Sequence, residues 1–240
     1  MKKTFYSVFR FILSSSLLLA SYSAHALVTG TVVGANFING QSSYATTFAD
    51  GTTATFVGSG VFQKKTQAGI TGVGIAGGRT NGEIDIGETI TGTFSKEVIV
   101  SSINVALLFD GPEYADVKEV AKFLVNYADG GTANYYLTAT GVHTAAWTGE
   151  GSVLSIGNGA VDGGTGAWQL DNPFGLRSVD SIVFTAVKGY PRSDCKSCSN
   201  QSDYTFVSMA VITVPEPKSA AMMFAGLLLI GGLATRRAKF

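Results

Sequence analysis

The sequence predicts an all-β domain, an antiparallel β-sandwich of jelly-roll type over residues 27–213. A signal peptide (1–26) precedes it, and a segment with a single transmembrane helix (214–240) follows. Three observations lead there. The middle of the chain is rich in Gly, Thr, Val, Ala and Ser, in short alternating runs broken by Gly, Asn and Asp, which is the pattern of many short strands. It carries no heptads and no long stretch of helical periodicity. About ten such runs in one domain suit two packed antiparallel sheets, whereas the helices of roughly 10–15 residues that a parallel α/β sheet requires are missing.

The ends are set aside first, because targeting segments are not fold. Lys2, Lys3 and Arg10 open a positive stretch, the run from Phe11 to Ala20 is apolar apart from three serines, and Ala24-His25-Ala26 fits a small-x-small cleavage pattern. Cleavage is expected after Ala26. At the other end Ser219 to Thr235 is apolar or small throughout, and Arg236, Arg237 and Lys239 follow at once. A spanning helix needs ~20 apolar residues, with ~17 as the lower limit, so this stretch is short but sufficient. Its basic end should stay cytoplasmic, which places the preceding domain outside the membrane.

Within the core, strands are expected at Thr29–Phe37, Thr53–Phe62, Ile70–Ala76 and Glu83–Phe94. Ile99, Ser101, Ile103, Val105, Leu107 and Phe109 alternate with Val100, Ser102, Asn104 and Ala106. That predicts one buried and one more polar face, ended by Asp110-Gly111-Pro112. The single helix expected is Glu113–Ala121, opened by Asp110 or Gly111 with Pro112 early in its first turn. Lys122–Tyr127 and Asn134–Thr138 read as a hairpin around Asp129-Gly130-Gly131, where glycine tolerates the positive φ of the turn. His143 falls in a turn before a strand containing Trp147. Ser152–Ile156, Ala167–Leu170, Ser181–Val187 and Tyr204–Thr213 complete the set. Val214-Pro215-Glu216-Pro217-Lys218 is a stiff link, since each proline fixes φ and removes a donor.

The whole chain is neutral, but the core left between the two ends has 10 basic residues against 16 acidic ones, a net charge of −6. Such a surface repels phosphate backbones, so no nucleic-acid partner is expected.

The tail carries a resemblance. Val214-Pro215-Glu216-Pro217, then an apolar helix, then Arg236-Arg237 and Lys239 resembles the PEP-CTERM sorting signal over about the last 26 residues. The resemblance implies a Gram-negative host that makes exopolysaccharide. It also implies cleavage near Pro215, Glu216 and Pro217 by an exosortase, a membrane-embedded cysteine protease-transpeptidase. The protein would be held briefly in the inner membrane and then reach the cell surface or the matrix of a biofilm. Ser178-Val179-Asp180-Ser181-Ile182-Val183-Phe184 and Ser202-Asp203-Tyr204 are similar to the closing strands of jelly-roll domains of this class.

Candidate chemistry is sparse. Glu83, Asp85 and Glu88 cluster in Asn81–Glu88, and Asp110 ends the clearest alternating run. Hard oxygen ligands at sheet edges are what a structural calcium ion requires. Solvated edge charges that discourage strand-to-strand association are the plainer account. The same acids could serve as a glycosidase pair, which needs two carboxyls across a cleft. The core has one histidine, His143, and no Gly-x-Ser-x-Gly elbow for a hydrolase triad. Cys195 and Cys198 are expected to close a small disulfide loop outside the cytosol. A dinucleotide reading of Gly72-Val73-Gly74-Ile75-Ala76-Gly77 lacks its βαβ context, so a glycine-rich strand and turn is expected. Trp147, Trp168, Tyr114, Tyr127, Tyr135, Tyr136 and Tyr190 are core aromatics of which an exposed subset could stack on sugar. The sequence therefore points to an exported, non-catalytic structural or glycan-binding sandwich, with a polysaccharide hydrolase or lyase as the alternative.

Overall fold

Alternating apolar residues and glycine-bearing turns fold into strands throughout the described part of the chain. The computed structural model describes residues 28–110, 116–160, 163–191, 201–214, 226–228 and 230. Thirteen strands follow in order: β1 (Thr29–Val33), β2 (Ser43–Thr47), β3 (Thr53–Gly58), β4 (Phe62–Gln67), β5 (Ile70–Ile75), β6 (Ile90–Ala106) and β7 (Asp116–Tyr127), then β8 (Thr132–Gly141), β9 (Thr144–Trp147), β10 (Ser152–Ser155), β11 (Trp168–Asp171), β12 (Val179–Pro191) and β13 (Thr205–Thr213). Every strand pair is antiparallel. One 3-10 turn, Gly34–Asn36, follows β1. Residues 226–228 and 230 are helical, and among the described residues no helix is long and apolar enough to cross a membrane.

The all-β, sandwich-like reading holds, and β6 organises it. Its first half pairs with β3 and β12, and β12 continues through β7 and β8 to β9. Its second half pairs with β11 and β13, and β13 leads on to β1 and β5. The two halves face each other across aromatic rings. Phe206 of β13 meets Phe56 of β3 at 5.5 Å and Phe184 of β12 at 5.1 Å, and Tyr204 meets Phe123 of β7 at 6.3 Å. Large rings at these separations bury much apolar area and exclude water between the layers.

Three expectations are corrected. Residues 116–121 belong to strand β7, not to a helix: Val120 and Ala121 pair with Val187 and Ala186 of β12. The Lys, Glu and Ala that favour a helix there yield to the hydrogen-bonded ladder and to burial between neighbouring strands. The alternation expected over 99–109 changes phase. Val98 and Val100 are buried before Ser101, whereas Ile103 and Val105 are buried after it. Val211 pairs with Val100 and Ala210 with Ser102, so Ser101 is an extra residue. Such a bulge bends a strand and moves its buried set to alternate positions, where β6 passes from one half of the sandwich to the other. The strand also stops at Ala106, and Leu107 turns away with φ 62°. Finally, the strand expected over Glu83–Phe94 begins only at Ile90, and residues 76–89 form a connection that touches the sheets through the single pairings Ile75–Glu83 and Ile86–Ala186.

The β7–β8 hairpin forms around Asp129 and Gly130 as expected, with Gly130 at φ 84°. His143 lies in the turn before β9. Gly72 and Gly74 sit in β5 because the neighbouring chain needs their space: a Cβ at Gly72 would strike the Thr205 side chain, and one at Gly74 the backbone of Glu83. Ala24, Ala26, Tyr114, Cys195, Cys198, Pro215, Glu216, Pro217, Arg236, Arg237 and Lys239 lie outside the described residues.

Candidate functional site: a buried acid cluster and an exposed groove

The connection 76–89 lies over the ends of β5 and β13. Ile75 donates its N–H to the Glu83 carbonyl at 2.9 Å, and Ile84 donates to the Tyr204 carbonyl at 2.7 Å. Seated this way, Glu83 and Asp85 are 2% and 3% exposed, so they are not solvated edge charges. The loop brings them against Asp203, which is fully buried just before β13 and which local sequence gave no reason to select.

Each carboxyl has partners within the fold. Asp85 Oδ2 accepts the backbone N–H of Arg79 and that of Thr80, the latter at 3.0 Å, and Oδ1 accepts Gln201 Nε2 at 3.2 Å. Successive N–H groups aimed at one carboxylate make a small anion nest. Glu88 Oε2 accepts the Asp85 N–H and the Glu88 N–H is donated to the Asp85 carbonyl, both at 3.0 Å. Glu83 Oε1 receives Lys65 Nζ, and Asp203 Oδ2 receives the Thr80 hydroxyl at 3.0 Å. Glu83 Oε2 and Asp203 Oδ1 are buried without a hydrogen-bond partner of their own, and the two carboxyls are close enough to shift one another.

Two buried carboxyls in contact cannot both ionise at reasonable cost. Burial, then the hydrogen bond and charge of Asp203, push Glu83 up to about 10, against the opposing pull of Lys65. Burial raises Asp203 as well, while Glu83 and Thr80 hydrogen-bond its ionised form. At neutral pH Glu83 therefore keeps its proton. Glu88 is raised mainly by burial.

The fourth acid expected at a calcium site has other neighbours. Asp110 gives its N–H to the Ala160 carbonyl at 3.1 Å and its carboxyl feels Lys118, with partial burial raising it. Among the described residues no group of three or more His, Cys, Asp or Glu is arranged to hold a metal ion.

The aromatics expected as a stacking platform separate into two groups. Trp168 is buried, its indole N–H donated to the Leu108 carbonyl at 2.9 Å. Tyr127, Tyr135 and Trp147 form a chain. The Tyr127 and Tyr135 hydroxyls lie 2.6 Å apart, and the rings of Tyr135 and Trp147 are stacked at 5.6 Å. Phe123 and Phe174 complete that cluster. Tyr136 follows Tyr135 in β8 and so faces the other way. Tyr190 is exposed.

The Tyr127 end of the chain adjoins an open groove of about 310 Å³ lined by Glu97, Ala128, Asp129, Arg177 and Ser178. Topology helps place it: Val179 pairs with Tyr127, which sets Ala128 beside Ser178, and Glu97 comes from the irregular stretch of β6 next to Val98, the other partner of Val179. Arg177 lies 3.6 Å over the Tyr127 ring and donates from Nη2 to both oxygens of Asp129, at 2.9 and 2.7 Å. That hydrogen bond holds Asp129 below the usual carboxylate range, and the Gly131 N–H, donated at 2.9 Å, adds to it.

No protein-family model matches the chain, and no curated protein or solved structure is significantly similar to it.

Proposed function

We propose that the protein is an exported, non-catalytic jelly-roll β-sandwich that acts as a structural or glycan-binding component of the extracellular matrix. Its C-terminal segment would be a PEP-CTERM signal, processed by an exosortase at the inner membrane. The export reading rests on the two apolar, charge-flanked ends and on the Pro215-Glu216-Pro217 motif.

One observation supports the non-catalytic reading: two of the acids that sequence offers for sugar hydrolysis, Glu83 and Asp85, are buried in the fold. Glycosidases hold two carboxyls ~5–9.5 Å apart with the scissile bond between them. Glu83 and Asp203 are neighbours in the interior, and at 2% and 0% exposure no substrate reaches between them. Their partners fasten the 76–89 connection to β4 through Lys65 and to the entry of β13.

The full-length chain in detergent, incubated with host exopolysaccharide, is assayed for co-sedimentation and for release of reducing ends. Sedimentation without release is the expected result. Release that is lost on Glu83→Gln or Asp203→Asn substitution would overturn it. Mass spectrometry of the surface fraction tests the sorting reading, with a new C-terminus near Pro215–Pro217 expected.

A further inference from the structure

We infer that the groove beside Arg177 is a binding subsite for a neutral or amino sugar, with Asp129 and Arg177 as the paired acceptor and donor for adjacent hydroxyls. The inference rests on the glycan-binding form of the function proposed above and locates it.

Three features carry it. The Asp129 carboxylate and the Arg177 guanidinium are held in place before any ligand arrives. Arg177 is laid on the Tyr127 ring, and Asp129 is pinned by that guanidinium and by the Gly131 N–H. A planar guanidinium offers five N–H groups in a fixed fork, and the hydrogen bonds to Asp129 come from Nη2. Nη1 and Nε, beside a carboxylate with lone pairs to spare, give neighbouring hydroxyls a donor and an acceptor at once. Ligand pockets run upwards from ~300 Å³, so the groove is the size of a small site that takes one sugar ring and leaves the rest of a chain in solvent. Both side chains are accessible, Arg177 at 49% and Asp129 at 62%.

Charge sets the ligand class. Glu97 and Asp129 outnumber Arg177, so the groove carries one carboxylate in excess, and Arg177 is already neutralised by its partner. Uronates, sulfates and phosphates are disfavoured there, while neutral hydroxyls are accepted and an ammonium is attracted.

The test uses the full-length chain in detergent against dextran, chitosan oligosaccharide and polygalacturonate, with wild type, Asp129→Asn and Arg177→Lys. Asparagine keeps the turn acceptor for Gly131 without the charge, and lysine keeps the charge without the fork. Binding of dextran or chitosan oligosaccharide is expected, about tenfold weaker in either variant, the loss of one charge-assisted hydrogen bond. Melting temperatures should stay within a few degrees of wild type, which separates lost binding from lost fold. Equal binding by all three proteins would remove the groove and leave the glycan reading standing. Failure of wild type to bind any of the three would remove both. Tightest binding to polygalacturonate would overturn the ligand class.

Discussion

Replacing Glu83 by glutamine isolates the proton that burial keeps on Glu83. Glu83 sits at about 10 in the fold against an ordinary 4.5, so the folded chain holds a proton through that window which the unfolded chain has released. Stability from this group is full below about pH 4.5 and is lost as pH rises towards 10. Asp203, also raised, contributes with the same sign. One proton corresponds to at most about 1.4 kcal/mol per pH unit. The charges facing Glu83 are Lys65 and Asp203, with Asp85 and Glu88 facing Asp203 in turn. Lys65 favours the ionised form, and its pull is already contained in that value. Glutamine cannot ionise, yet its carbonyl can still accept Lys65 and its NH₂ can donate towards the Asp203 side. Urea unfolding of both proteins at one-unit steps from pH 5 to pH 9 is the assay. At pH 5 the two should agree within about 1 kcal/mol, the worth of a typical hydrogen bond. Wild type should then lose stability with rising pH while the variant stays flatter, so that glutamine is the more stable form at pH 9. A variant with the wild-type slope, or one less stable than wild type at pH 9, would refute the retained proton.

Three other outcomes follow from the same contacts. Phe206→Ala removes a ring packed on Phe37, Phe56 and Phe184 between the two halves of the sandwich, and should cost about 3–5 kcal/mol in denaturant unfolding. Gly74→Ala drives a methyl into the backbone of Glu83 and should cost about 1–3 kcal/mol, with the pH slope of the acid pair weakened because the 76–89 connection is displaced. Millimolar calcium should leave the melting temperature unchanged, because Lys65 already sits on Glu83 and the N–H groups of Arg79 and Thr80 already fill Asp85; a saturable rise would show that the loop rearranges around a cation.

Much of the architecture is legible in the sequence because strand formation is written in short-range pattern. The apolar alternation of Ile103 and Val105 fits the second half of β6, Asp129-Gly130 marks the β7–β8 turn, and the glycines of β5 announce a strand with close neighbours. Nearby residues determine these features through dihedral preference and side-chain period, so a window of a few residues suffices. Residues 116–121 show the limit of that window. Their composition favours a helix, and only β12 lying alongside makes them a strand. The bulge at Ser101 is equally hidden, since its register is defined by Val211 and Ala210, more than a hundred residues away.

The acid cluster and the groove depend on tertiary structure to a greater degree. Sequence places Glu83, Asp85 and Glu88 together but says nothing of Asp203, which reaches Glu83 only because β13 runs beside β5. Burial then turns a candidate ligand into an acid that keeps its proton, because the energy of a carboxyl depends on its surroundings and not on its neighbours in the chain. Arg177 and Asp129 meet across Tyr127 for the same reason: β12 and β7 are hydrogen-bonded neighbours, and no local pattern encodes which strand lies beside which.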